Sequence, residues 1–313
     1  MIDRVDPALR PGLECGDPAP AFSRANLARI RGLSDARWQE RPVYGRTEPR
    51  EHAIDTPEGR LKLFVFQGSG DGGGRPALLW FHGGGYVMGK GRDMWMGPLF
   101  AERAGCTVIS VEYRLAPEDP FPAAVLDALN ALRWLHREAE ALGIDPGRVA
   151  VGGASAGGGL AAGLCHFNLS GDRLPIRFQL LLYPMLDNLH ATPSGRHPGH
   201  PVWTREMSLA AWEMYLGGTP GANAPPSAAP ARAVRLAGLP PAFISVGEVD
   251  LFFDESRLYA ERLCAAGVPC CFSAYPGMYH GGEMDGAGTA LGARMIHDYV
   301  AALVEGVGGA RTP

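Results

Sequence analysis

The chain has 313 residues and is 46% hydrophobic, enough apolar content for one large α/β core or two smaller ones. Lys and Arg number 29 against 33 Asp and Glu, a formal net charge of -4 with no block of like charge. That balance excludes a nucleic-acid surface or an anionic-membrane surface and leaves a small molecule as the expected partner.

The opening "MIDRVDPALRPGLE" has acidic residues and two prolines where an export signal needs a continuous apolar segment, so a cytoplasmic protein is expected. After it, "FSRANLARIRGL" has helical character and the first fifty or so residues otherwise lack strand pattern. "LKLFVFQ" and "PALLWF" read as strands separated by "GSGDGGGR", and "CTVISVEY" reads as a third. "FPAAVLDALNALRWLHREAEALG" has apolar residues at helical spacing, with Pro122 near its first turn and Gly143 as its stop. Strand and helix then alternate through "RVAVGG", "AGGGLAAGLCHFNL", "FQLLLYP", "PPAFISVGEVD", "DESRLYAERLCAAG", "PCCFSAYPG" and "ALGARMIHDYVAALVEG". Short continuous apolar strands between amphipathic helices mean a mostly parallel central sheet flanked by helices on both faces.

Two regions stand outside the alternation, residues 1–50 and 187–238, the second carrying "TREMSLAAWEMYLGG" and the Pro/Ala-rich "TPGANAPPSAAPARA". Both are expected to form a cap over the ligand end of the sheet. The catalytic domain would then consist of residues 51–186 and 239–313. Between Val149 and Gly171 no residue is charged, but Gly, Ala and Ser dominate, which suits a strand, turn and helix better than a membrane span. Cys15, Cys106, Cys165, Cys264, Cys270 and Cys271 form no CxxC pair and no zinc spacing, and are expected as buried thiols of a reducing compartment.

The glycine-rich "GGASAGGG" contains G-x-S-x-G at Gly153 to Gly157, directly after an apolar strand and before a helix. In that context a strained turn lifts Ser155 Oγ above the sheet, while small neighbours permit the close approach; a turn that merely packs is the alternative. Upstream, "WFHGGGYVMG" ends a strand in consecutive glycines whose N–H groups can converge on one oxygen atom, as an oxyanion hole does. The G-x-G-x-x-G at Gly68, Gly70 and Gly73 is followed by a strand and not by a helix, so it is no dinucleotide fingerprint.

A serine hydroxyl needs a base to take its proton and an acid to orient that base, in chain order serine, acid, histidine for an α/β hydrolase. Only His280 and His297 lie late enough; His297 falls in a helical pattern, on its surface, whereas His280 sits in the loop "YPGMYHGGEMDG". Among Glu248, Asp250, Asp254 and Glu255 in "GEVDLFFDE", Asp250 ranks first because it lies just past the strand end, and Asp254 and Glu255 suit the first turn of a helix. His82 is read as support for its loop, and "HPGH" at His197 to His200 as solvated and without a third metal ligand. Met94, Trp95, Met96, Trp203, Met207, Trp212 and Tyr215 are either acyl-pocket lining or plain core, with core the commoner fate.

Taken together, "HGGGYVMG", "VEYRLAPEDPFPAAVLDALNALRWL", "GGASAGGGLAAGL", "LLLYPMLD", "VWTREMSLAAWEMYLGG" and "YPGMYHG" make the chain resemble the hormone-sensitive-lipase-like group of α/β hydrolases, bacterial esterases with an HGGG loop. The resemblance implies Ser155 as nucleophile, Asp250 as acid and His280 as base. It implies the N–H groups of Gly84, Gly85 and Ala156 as oxyanion donors, and a cap from the N-terminal segment and the region after Asp187. Small or short-to-medium acyl esters are the implied substrates, without metal or organic cofactor. A homodimer is compatible with it. Two positions depart from the group: Ala154 stands where many relatives have Asp or Glu, and Gly282 stands where relatives usually have Phe after the base. An amide, formamide or lactone hydrolase on the same site, and a ligand-binding protein that has given up turnover, are the competing functions.

Overall fold

Apolar runs too short for helices and too continuous for a one-sided sheet become the centre of an eight-stranded sheet. The structure is a computed structural model that describes residues 1–14, 21–39, 43–68, 74–218 and 223–308. Its strands are β1 (Arg50–Thr56), β2 (Gly59–Gln67), β3 (Arg75–Phe81), β4 (Thr107–Glu112), β5 (Ile144–Ala154), β6 (Phe178–Leu182), β7 (Ala242–Gly247) and β8 (Cys270–Tyr275), in the order β1-β2-β4-β3-β5-β6-β7-β8. The β1–β2 and β2–β4 pairs are antiparallel, and every pair from β4 to β8 is parallel. This is the mostly parallel sheet expected from the alternation. In β6 and β7 every residue is buried, so both faces of these strands are covered. Trimming such a side chain, Leu181→Ala for instance, would cost about 2–5 kcal/mol.

The helices are α1 (Pro11–Glu14), α2 (Leu27–Gln39), α3 (Gly97–Arg103), α4 (Ala123–Arg137), α5 (Ala156–Ser170), α6 (Pro193–Arg196), α7 (Arg205–Leu216), α8 (Phe253–Ala265), α9 (Gly282–Asp285) and α10 (Ala290–Gly306). Helix α4 stops at Arg137, six residues before Gly143. Glu138 to Leu142 instead close through short turns onto Gly143, which takes φ 66°. Strand β1 is absent from the apolar reading for a physical reason: it is an edge strand with Ile54 alone buried, and an exposed polar strand has no alternating signal. Helix α3 is too short for periodicity to reveal, yet five of its residues are buried.

No helix among the described residues is long and apolar enough to cross a membrane. Cys106 and Cys165 are buried thiols as expected, but Cys264 and Cys271 are exposed and Cys270 is half-buried. The vicinal pair lies on edge strand β8, whose outer side has no further strand against it among the described residues. Cys15, Gly70, Gly73 and residues 219–222 of the Pro/Ala-rich stretch fall outside the described residues.

Candidate active site

Loops at the carboxyl ends of four strands meet at one point, as ligand sites do in open α/β sheets. β3 ends at Phe81 before the His82-Gly85 loop, β5 at Ala154 before Ser155, β7 at Gly247 before Asp250, and β8 at Tyr275 before His280. Ser155 is the N-cap of α5 and takes φ 58°, ψ -121°, a strained conformation for a residue with a Cβ. Its main chain is clamped on both sides: Ser155 N–H donates to Leu182 O at 2.9 Å, and Met185 N–H donates to Ser155 O at 2.9 Å. The glycines around it are steric necessities, since a Cβ on Gly157 would overlap the carbonyl of Phe81. The turn therefore packs directly on the end of β3, which brings the HGGG loop beside the serine.

Ser155, Asp250 and His280 are buried and joined in one chain of hydrogen bonds. His280 Nδ1 donates to Asp250 Oδ2 at 2.8 Å, and Ser155 Oγ lies 3.0 Å from His280 Nε2. A carboxylate only accepts, so the Nδ1 proton is fixed and Nε2 is left with a lone pair facing the hydroxyl. Asp250 Oδ1 accepts from Phe252 N–H at 2.9 Å, which holds the carboxylate plane. Aromatic rings enclose the imidazole, Tyr183 at 5.0 Å and Phe252 at 5.2 Å between centroids, both edge-on. Such packing limits the imidazole to one orientation. His297 is exposed on α10, outside this loop.

Two of the other carboxylates of the 248–255 stretch, Asp254 and Glu255, hold main-chain N–H groups instead. Asp254 Oδ2 accepts from Ser194 N–H at 2.8 Å, and Glu255 Oε1 accepts from Leu186 N–H at 2.7 Å. Burial, with the neighbouring Asp187 and Asp250 charges, pushes the Glu255 carboxyl well above its usual range. His82 is loop support, as read: its Nδ1 meets Gly83 O at 2.8 Å, its ring stacks on Tyr113 at 4.1 Å, and burial lowers its pKa from 6.5 to about 4. His200 is not solvated. It is buried, with Nδ1 3.0 Å from Val249 O and Nε2 2.9 Å from Ser194 O, while His197 is exposed. No cluster of His, Cys, Asp or Glu suited to a metal ion occurs among the described residues.

Gly84 and Gly85 have φ 112° and 61°, values that an L side chain rarely adopts. Ala156 is the first residue of α5, so its N–H has no intrahelical acceptor. The cavity beside Ser155 measures about 190 Å³. Trp80, Trp95, Met94 and Met96 line it from the core, Trp203 and Val202 from the segment before α7, and Ser34, Arg37 and Trp38 from α2. Met94 to Met96 and Trp203 are thus pocket residues, whereas Trp212 and Tyr215 are fully buried core, Tyr215 stacked on Tyr86 at 3.8 Å. Tyr183, just after β6, and Met284 in α9 also line the pocket; the sequence carries no local signal for these or for Trp38, because only the tertiary fold brings their elements to the serine. The Gly282 departure has a steric cause. A Cβ there would come within 2.7 Å of Met278 Sδ and 3.1 Å of the Tyr279 ring, so the space a larger side chain would need is already filled.

Residues 78–284 match a family described as having the alpha/beta hydrolase fold, and the chain belongs to that family, in its hormone-sensitive-lipase-like group. It is 39% identical over 233 residues to Esterase LipI of Mycobacterium tuberculosis, covering 73% of this chain and 72% of that one. An acetyl-hydrolase of Streptomyces hygroscopicus is 34% identical over 81% of this chain and 88% of its own. A solved bacterial heroin esterase superposes with a TM-score of 0.90 at 35% identity, covering 98% of this chain and 99% of that one.

Proposed function

We propose that this chain is a serine carboxylesterase that hydrolyses small or short-to-medium acyl esters through an acyl-enzyme. The observation that carries the reading is the hydrogen-bonded chain Ser155 Oγ, His280 Nε2, His280 Nδ1, Asp250 Oδ2, with distances of 3.0 and 2.8 Å, at a strained strand-to-helix turn. The esterase names of its relatives support it.

Ser155 attacks the ester carbonyl while His280 takes its proton, and Asp250 keeps the imidazole in the required tautomer and stabilises the imidazolium. The N–H groups of Gly84, Gly85 and Ala156 receive the oxyanion. His280 then protonates the leaving alcohol and next activates the water that releases the acid. None of these steps calls on a metal or organic cofactor. Residues 1–50 and 187–238 act as the cap: α2 and the Val202–Trp203 segment wall the pocket, and the core contributes the rest. A cavity of about 190 Å³ favours a small acyl group. The free thiols, two of them exposed, favour a reducing compartment.

The test is hydrolysis of p-nitrophenyl esters from acetate to long chains. The expected profile is a maximum at short acyl length and a steep fall beyond it. Preference for anilides or lactones over matched esters would move the reading to an amidase or lactonase.

A further inference from the structure

A carboxyl group that is fully buried and not part of the reacting chain costs free energy that an apolar side chain in its place would not. Glu255 is such a group, 2% exposed in the first turn of α8, five residues after Asp250. Its Oε1 accepts two main-chain N–H groups, from Leu186 at 2.7 Å and from Asp187 at 3.3 Å. Its Oε2 lies 3.7 Å from Nδ1 of the fully buried His190. The segment that Oε1 grips is the same one that clamps the serine: Leu182 O accepts from Ser155 N–H, and Met185 N–H donates to Ser155 O. On the other side, Asp250 Oδ1 is bound by Phe252 N–H, and the Phe252 ring lies edge-on to His280 and stacked with His190. Glu255 thus joins the segment behind the nucleophile to the helix behind the acid.

We propose that Glu255 is a positioning residue: its buried carboxyl fixes the Leu182–Asp187 segment, and through it the Ser155 turn, in register with Asp250 and His280. The proposal rests on the esterase reading above. Its physical content is an acceptor at one place, not a charge, because what the segment needs is an oxygen for two buried N–H groups.

Two substitutions separate acceptor from charge. Glu255→Gln keeps an oxygen acceptor and can carry no charge; Glu255→Met keeps length and volume but leaves only a weak sulfur acceptor. Each is measured as kcat per titrated active site, KM, and the rate of phosphonylation of Ser155 by an organophosphonate ester. Glu255→Gln is expected within about threefold of wild-type kcat, and Glu255→Met to fall on the order of 10²-fold in kcat and in phosphonylation rate, with KM changed less than about twofold. If Glu255→Met does not fold, Glu255→Asp, one methylene shorter, takes its place and is expected to lose kcat in the same sense.

Wild-type kcat per active site in the Met or Asp variant overturns the proposal, as does a loss confined to melting temperature and to the fraction of titratable sites. So does a Gln variant damaged as much as Met, since charge would then be what matters. Wild-type protein that hydrolyses no ester would instead remove the esterase reading on which the proposal stands.

Discussion

The indole of Trp203 lies over Gly85, where an added Cβ would come within 2.7 Å of its ring and 3.1 Å of the Ala211 methyl group. Gly85 also has φ 61°. Gly85→Ala therefore combines a clash with a left-handed backbone that costs about 1–2 kcal/mol for a residue with a Cβ. The expected outcome is a drop in kcat on the order of 10²-fold or more, because a shifted loop removes oxyanion donors. Steady-state kinetics on p-nitrophenyl acetate checks this; an unchanged kcat would take Gly85 out of the oxyanion role.

Asp250 Oδ2 accepts the Nδ1 proton of His280 at 2.8 Å. Asp250→Asn keeps the shape but offers an NH₂ that favours the opposite tautomer, in which Nε2 no longer faces the serine as a base. Turnover is expected to fall on the order of 10⁴-fold while the protein stays folded, as in other Ser-His-Asp sites. Circular dichroism with steady-state kinetics tests both halves of that statement.

Much of the fold and most of the site is legible in the sequence, and the limits are physical. Ser155, Asp250 and His280, the proposed nucleophile, acid and base, can be read because a nucleophile turn needs Gly153 and Gly157 at fixed spacing and because the strand ends locate the other two. Strand β1 cannot, since only Ile54 of its seven residues is buried. Trp38 and Arg37 cannot, since α2 reaches the pocket only through long-range contacts. Glu255 looks in sequence like one more helix-start acid, and only the packed structure places Leu186 N–H on its carboxylate. His200, flanked by glycine and proline, looks solvated until the fold seats it between Val249 O and Ser194 O.

Arg31 fastens α2 over the pocket. Its guanidinium pairs with Glu118 at 2.7 Å and donates to Val87 O and Ala116 O at 2.7 and 3.0 Å. The exposed ion pair alone contributes about 0–1 kcal/mol, so global stability depends little on it. The carbonyl bonds set where Trp38 and Arg37 sit. Arg31→Ala is expected to raise KM several-fold with kcat nearly unchanged. A variant with wild-type KM across the ester series would separate α2 from substrate binding.

Burial lowers the pKa of His82, His166 and His190 from 6.5 to about 4. Between those values the unfolded chain binds a proton at each that the folded chain does not. Their contribution to stability is therefore complete above pH 6.5 and is lost as pH falls toward 4. Melting temperature is expected to decline over that window, and His166→Gln to make the decline shallower by removing one of the three groups. A slope identical to wild type would mean that His166 is not held neutral in the folded protein.

Covalent labelling tests the role of Ser155 most directly. A p-nitrophenyl alkylphosphonate, which the nucleophile attacks but the acyl-enzyme water step cannot release, is added to excess and followed by intact-mass measurement and peptide mapping. The expected result is one adduct per chain, on Ser155, with ester hydrolysis lost in proportion to labelling, and with neither label nor turnover in folded Ser155→Ala. An adduct on another residue, or ester turnover that survives complete labelling of Ser155, would contradict the assignment of the nucleophile.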